Sequence, residues 1–138
     1  MSTETLSRAF TVSPVPLSVP ATRRWVRQML HRWHLIPLSE RAEVVVSELA
    51  TNAIRHAVTG GAPITTLMIY AAGTLRIEVR DRDAVNLPVQ RRSADPGQGH
   101  GLEIVAVYSH RWGAHPTDHG KIVWAELDIR ARREAVIP

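Results

Sequence analysis

SELATNAIRHA, residues 47–57, is the stretch that decides the fold of this chain. Its apolar residues recur every three or four positions and continue a pattern that starts at Ser39, which is typical of an amphipathic helix. The pattern predicts a helix over residues 39–58, with Ser39 as its N-cap and Thr59-Gly60-Gly61 just past its end. The apolar face consists of Ala42, Val45, Val46, Leu49, Ala50, Ala53 and Ala57.

Three polar residues of this helix, Glu48, Asn52 and His56, are spaced by four. They therefore stack along one side of the helix, next to the apolar face. That side is either a solvated flank or the lining of a cleft at the edge of the core. In a cleft, a carboxylate can orient or deprotonate a hydroxyl, and a carboxamide oxygen is a suitable ligand for Mg²⁺.

Two β-branched runs follow the helix, at residues 64–70 and 74–81, and a short loop joins them. They predict a β-hairpin. In the second run, TLRIEVRD, the alternation of side chains places Asp81 on the same face as the apolar residues. A buried carboxylate needs a hydrogen-bond donor. The donor is either a protein group or the amino group of a ligand such as adenine.

A third feature is the glycine-rich stretch PGQGHGLEIV, residues 96–105, in which Gly97, Gly99 and Gly101 alternate before a short apolar helix at about 101–109. Glycines permit close backbone approach, and the start of a helix favours an anion. Many such triplets are plain loops. No Lys-Ser/Thr pair follows as in a Walker loop, and the βαβ unit of a Rossmann fold is not apparent.

The remaining patterns predict an edge strand at 8–12, a helix from about Pro20, and strands near 110–114 and 121–129. Neighbouring strands with short turns and about three helices predict the α+β class. We expect a two-layer sandwich in which helices cover one face of a mostly antiparallel or mixed sheet. Residues 1–138 are expected to form one domain with its core at about 8–129.

The composition narrows the classes of function. The absence of cysteine excludes disulfides and thiolate metal sites, and no apolar run approaches the ~20 residues of a membrane span. The N-terminus lacks the layout of a signal peptide, so we expect a cytoplasmic protein. The net charge of +4 comes from scattered arginines and one lysine, which does not favour direct nucleic-acid binding. Zinc through His31 and His34, or through His115 and His119, lacks an evident third ligand.

The order of four segments, ELATNAIRHA, VRD, GQGHGL and GKIVWAEL, resembles the GHKL (Bergerat-fold) ATP-binding domain. More narrowly, it is similar to bacterial anti-sigma-factor serine/threonine kinases and their ATPase-like regulatory relatives. The resemblance covers residues 15–128, approximately, and it implies ATP and Mg²⁺ as ligands. It also implies roles for single residues. Glu48 matches the general base, Asn52 the Mg²⁺ ligand and Asp81 the acceptor for adenine N6. Arg55 and His56 match positions that face the phosphates.

The rest of the implied site comes from the second half of the chain. The second glycine box of the family corresponds to the segment Gly97, Gly99, His100, Gly101 and Leu102, which would contact the phosphates, and residues 82–98 would form the lid. Lys121 matches the final strand that borders the adenine end. One departure is clear, since the family's D-x-G-x-G reads here Asp-Arg-Asp-Ala-Val from Asp81, without either glycine.

The resemblance implies an anti-sigma factor with protein kinase activity. Its partners would be a sigma factor, an anti-anti-sigma (STAS-type) protein or both, and a homodimer is a further expectation, since relatives often dimerise. The missing glycines leave a second interpretation open, in which the chain is a nucleotide-dependent binding module without significant turnover. A helix-turn-helix is disfavoured because residues 64–70 read as a strand where it needs a recognition helix.

Overall fold

The computed structural model of the chain describes residues 4–55, 61–82 and 100–129. The strands are β1 Leu6–Val12, β2 Ile64–Ala71, β3 Thr74–Asp81, β4 Arg111–Pro116 and β5 Lys121–Asp128; the helices are α1 Ser18–Arg32, α2 Ser39–Arg55 and α3 His100–Tyr108, with a short 3-10 helix at Ile36–Leu38. Each predicted element is present, although β1 and α1 each begin two residues earlier than predicted. None of the described helices is both long and apolar enough to cross a membrane.

The five strands form one sheet in the order β1-β2-β3-β5-β4, and every neighbouring pair is antiparallel. This confirms the α+β prediction and settles its open point in favour of an antiparallel sheet. Because β5 is inserted between β3 and β4, the last strand of the chain lies inside the sheet and not at its edge.

One face of the sheet is covered by the helices. The inner residues of β3 alternate with outer ones, and Leu75, Ile77 and Val79 are fully buried, as the alternation predicts. On the helix side, α2 contacts β2, β3 and β5 through the apolar face predicted from its spacing. Burial of each such side chain contributes about 1.5–3 kcal/mol. The core therefore lies between α2 and the three central strands.

Helix α1 packs on the same core. Trp25 stacks on Phe10 of β1, with 5.1 Å between the ring centroids, and Met29 is buried. The aromatic residues of α1 allow two interpretations, a surface for a partner or packing on the core. These contacts favour packing on the core. The helix ends in a Schellman motif, in which the Leu35 N–H donates to the Leu30 carbonyl over 2.8 Å while His34 adopts a φ of 60°.

The start of α2 differs from the prediction for Ser39. Its hydroxyl donates to Glu43 Oε2 over 2.7 Å, and the helix follows directly on the 3-10 helix, so that Ser39 is already helical. An N-cap residue has non-helical dihedral angles and accepts from the backbone. The N-cap prediction for Ser39 was therefore wrong, because the 3-10 helix Ile36–Leu38 leads into α2 without a break.

The outer face of the sheet carries a network of charges. Arg76 and Arg80 donate to Glu78, at 2.7 and 2.9 Å, and Glu126 accepts from Arg76 Nη1 at 2.9 Å and from Arg111. Burial raises the pKa of both glutamates, but the hydrogen bonds and positive charges of the arginines outweigh it and hold each pKa below its ordinary value of 4.5. Both carboxylates are therefore stabilised in their charged form.

Candidate functional site

The direction of α2 shows which end of the sandwich carries the predicted site. Arg41 Nη2, near the start of α2, donates to the Asp128 carbonyl at the end of β5 over 3.3 Å. A helix of 17 residues and a strand of eight have nearly the same length, about 26 Å. The last turns of α2, which carry Asn52, therefore lie near the start of β5, at Lys121.

Helix α3 packs against α2. The chain leaves α3 at Tyr108, and the His110 N–H then donates to the Glu126 carbonyl over 2.7 Å, near the far end of β5. The last turn of α3 is therefore close to Glu126. The end of the sandwich that carries the start of β5 gathers Asn52, Asp81 and Lys121.

Asn52 has an unusual environment for a polar helix residue. Its Nδ2 atom is buried and has no hydrogen-bond partner among the described residues. A buried amide group without a partner costs about 1–3 kcal/mol. An amide in this state fits a ligand that brings its own acceptors, such as phosphate oxygens, and its Oδ1 is a hard oxygen suited to Mg²⁺.

Glu48, one turn before Asn52, is half-buried and opens onto a groove of about 630 Å³ along the outer side of α2. Glu48 lies at the end of this groove nearest to Asn52. The groove is lined by Arg23, Ile36, Ser39, Glu40, Glu43, Val44, Ser47 and Glu48. A carboxylate at the end of an open groove is accessible to an extended polypeptide as well as to a small ligand.

Asp81 is buried on the inner face, as the alternation of β3 predicts. Lys121 is completely buried and lies directly opposite in the register of β3 and β5, with its Nζ 3.2 Å from Asp81 Oδ2. The sequence left open whether a protein group or a ligand serves this carboxylate, and the Lys121 ammonium group is its ion-pair partner within the protein. A carboxylate offers about four acceptor sites, so this ion pair is compatible with a further donor from a ligand.

Gly120 is a residue of the site that the sequence analysis missed. A Cβ atom at this position would lie 1.8 Å from the Asp81 carbonyl oxygen and 2.5 Å from Arg82 Cα. Only glycine allows this approach of the turn before β5 to the end of β3. The available signal was a glycine directly before a strand, which often marks a close backbone contact.

The other predicted site residues are distributed as follows. Arg55 is exposed at the end of α2, and Leu102 is buried in the first turn of α3, which His100 and Gly101 begin. Three further predicted residues, His56, Gly97 and Gly99, lie outside the described residues, as does all but the first residue of the predicted lid at 82–98. Their assignments stay predictions.

The side chains present limit which metal ion could bind at this site. Within residues 4–55, 61–82 and 100–129 no three histidine, aspartate or glutamate side chains lie together as a metal site requires. The histidine pairs considered for zinc therefore find no third ligand there. Mg²⁺ takes few protein ligands and is often held together with substrate phosphates, so Asn52 alone fits its requirements.

Comparison with known proteins identifies the family. No curated protein matches the chain. The family model of the histidine kinase-like ATPase domain matches residues 12–127, a span that includes α1–α3, β2–β4, all but the last residue of β5 and the predicted site residues. This match agrees with the antiparallel sandwich and with the asparagine and aspartate at one end of it. The chain belongs to the histidine kinase-like ATPase domain family and is an ATP-binding protein of the GHKL type.

Proposed function

We propose that this chain is an anti-sigma factor with serine/threonine protein kinase activity toward an anti-anti-sigma (STAS-type) partner. The observation that carries the proposal is the pair Glu48 and Asn52 on α2. One turn apart, they combine a carboxylate in an open groove with a buried amide that has no partner among the described residues. The resemblance of the four sequence segments to the anti-sigma kinases supports the choice of partner.

The proposed reaction assigns a role to each residue. Glu48 accepts the proton of a serine or threonine hydroxyl, the hydroxyl oxygen bonds to the γ-phosphorus, and the bond from that phosphorus to the β–γ bridging oxygen breaks, so that ADP leaves. Asn52 orients the phosphates through its amide and would hold Mg²⁺ through Oδ1. Bound Mg²⁺ supplies neutralisation of the phosphate charge. Asp81 accepts a hydrogen bond from the amino group of adenine.

The groove beside Glu48 supports a protein as the phosphoryl acceptor. It continues from Glu48 along α2 to Ile36, whose side chain is 56% exposed. Its lining is mostly polar, with Ile36 and Val44 as the apolar residues, and on one side Arg23 donates to Ser47 Oγ over 3.2 Å. A loop of a partner protein lying in this groove would bring its hydroxyl to Glu48.

A transfer assay tests the kinase proposal. The protein is incubated with γ-labelled ATP, Mg²⁺ and a panel of candidate anti-anti-sigma proteins, and the label on the partner is measured. Glu48→Ala is expected to lower the transfer rate by about 10²–10⁴-fold, the usual contribution of a general base, with little change in ATP affinity. Glu40→Ala is the matched control, because Glu40 is a carboxylate of the same helix and groove. Equal transfer by wild type and Glu48→Ala would contradict the role of Glu48.

A second candidate function is supported by the sequence after Asp81. The stretch Asp-Arg-Asp-Ala-Val lacks both glycines of the family's first glycine box. A chain with this change can still bind ATP and use it to set its shape for a partner, without transferring phosphate. In the same assay, tight ATP binding with no label on any partner would favour this binding module over the kinase.

The proposal extends to a sigma factor as a second partner, to a cytoplasmic location and to a homodimer. These rest on the resemblance to the anti-sigma kinases. Sedimentation equilibrium of the chain, alone and mixed with candidate sigma factors, tests the two associations. A single monomeric species in all mixtures would contradict them.

A further inference from the structure

Lys121 lies in an environment where lysine is rarely found. Its side chain is completely buried, and it is the largest of the fully buried side chains among the described residues. Lysine is almost never buried in this way unless it is paired, because removal of the ammonium group from water is strongly unfavourable. The position therefore requires a compensating charge.

Asp81 supplies that charge at 3.2 Å. The two residues face each other across β3 and β5, and the Asp81 side chain is 5% exposed. The close approach of Gly120 to the Asp81 carbonyl fixes the start of β5 against the end of β3, and so holds Lys121 opposite the carboxylate. This is an ion pair at a defined position, in a region of low dielectric constant, where the electrostatic interaction is strong.

The pair has a consequence for the choice of base. A charged carboxylate only accepts hydrogen bonds, whereas a protonated one also donates. The ammonium group of Lys121 stabilises the negative charge on Asp81. An acceptor-only group suits the 6-amino group of adenine and repels the 6-oxo group of guanine or hypoxanthine, which also accepts.

We propose that Lys121 is a specificity-determining residue, whose ion pair with Asp81 holds this carboxylate as the acceptor for a 6-amino group and so selects 6-amino purine nucleotides over 6-oxo ones. This inference rests on the proposed role of Asp81 as the acceptor for adenine. Lys121 acts on the base through Asp81 and is a positioning residue, not a catalytic one.

The test compares dissociation constants of the full chain for ATP and for inosine triphosphate, in which a 6-oxo group and an N1–H donor replace the 6-amino group and the N1 acceptor of adenine, by calorimetry with Mg²⁺. Wild type is expected to prefer ATP. Lys121→Met, which keeps the volume of the side chain without its charge, is expected to lower this preference about tenfold or more, because the ion pair that holds the Asp81 carboxylate as an acceptor is lost. Arg80→Met is the matched control. It removes a positive charge from the residue next to Asp81, but on the outer face, and is expected to leave the preference unchanged.

The outcomes separate this inference from the proposed function. Loss of affinity for both nucleotides in equal proportion in Lys121→Met would show a structural role only and overturn the inference. If Lys121→Met does not fold, Lys121→Gln, which removes the charge but keeps a polar end group, takes its place with the same expectation. A wild type that binds ATP and inosine triphosphate equally would also overturn the inference. A wild type that binds neither would instead contradict the assignment of the nucleotide site.

Discussion

At the scale of the residue, Asn52 is the place where stability and the proposed function would compete. The residue is half-buried, and its Nδ2 atom is buried without a partner among the described residues. Buried polar groups without a hydrogen-bond partner are typical of binding sites, since a bound ligand supplies the missing partner. Asp81 is the contrasting case, because the protein itself provides its counter-charge.

Asn52→Ala is therefore expected to be more stable than the wild type and to lose its binding of Mg²⁺-ATP. Alanine is a better helix former than asparagine, and the change removes an unsatisfied amide, so the free energy of unfolding should rise by about 1 kcal/mol. Urea denaturation measures this change, and calorimetry measures the loss of Mg²⁺-ATP binding. Thr51→Ala is the matched control on the same helix, for which ATP binding is expected to persist. A decrease in stability for Asn52→Ala would show that the amide has a structural role.

At the scale of the element, the turn between β2 and β3 is a two-residue loop with φ values of 52° at Ala72 and 81° at Gly73. Two successive positive φ values are those of a type I′ turn, the commonest short connection of a β-hairpin. The hairpin was predicted from the sequence. Ala72, at the first position of the turn, did not indicate the turn type in the sequence, because alanine rarely adopts a positive φ. The sheet around the turn holds it in this conformation.

Substitutions in this turn should change stability in opposite directions. Ala72→Asn creates the preferred Asn-Gly pair and is expected to raise the free energy of unfolding by about 0.5–1 kcal/mol, whereas Gly73→Ala is expected to lower it by about 1–2 kcal/mol. No atom lies within 4 Å of the Cβ added at Gly73, so the second effect would come from the backbone alone. Thermal unfolding of both variants measures the difference, and a stabilising Gly73→Ala would contradict it.

At the scale of the whole molecule, the arginine and glutamate network of the outer face links stability to pH. The pKa values of Glu78 and Glu126 are held below 4.5 in the folded chain. As the pH falls through 4.5, the unfolded chain takes up protons first, so the stabilisation present above that pH is progressively lost. Urea denaturation between pH 6 and 3, approximately, should therefore show a falling free energy of unfolding, with a smaller slope in Glu78→Gln. An equal slope in both proteins would contradict a contribution from Glu78.

The sequence predicted those features of the molecule that depend on local periodicity. The apolar face of α2 and the burial of Asp81 follow from spacings of 3.6 and two residues. Both are confirmed, the face from Ala42 to Ala53, while Ala57 lies outside the described residues. The partner of Asp81 was not predictable, because it depends on the register of β3 against β5, forty positions apart along the chain. The role of Gly120 was not predictable for the same reason, because its close contact is with the backbone of Asp81 and Arg82, which are distant in sequence. The site residues that were recognised came from the resemblance, and their roles stay predictions.

The insertion of β5 between β3 and β4 has a consequence during synthesis of the protein. A ribosome adds about 5–20 residues per second, so Asp81 is made about 2–8 s before Lys121. During that interval the nascent chain has a strand end with an aspartate and no lysine to face it. The base selection proposed for Lys121 would therefore be acquired late, after the first helices and the hairpin have already been made.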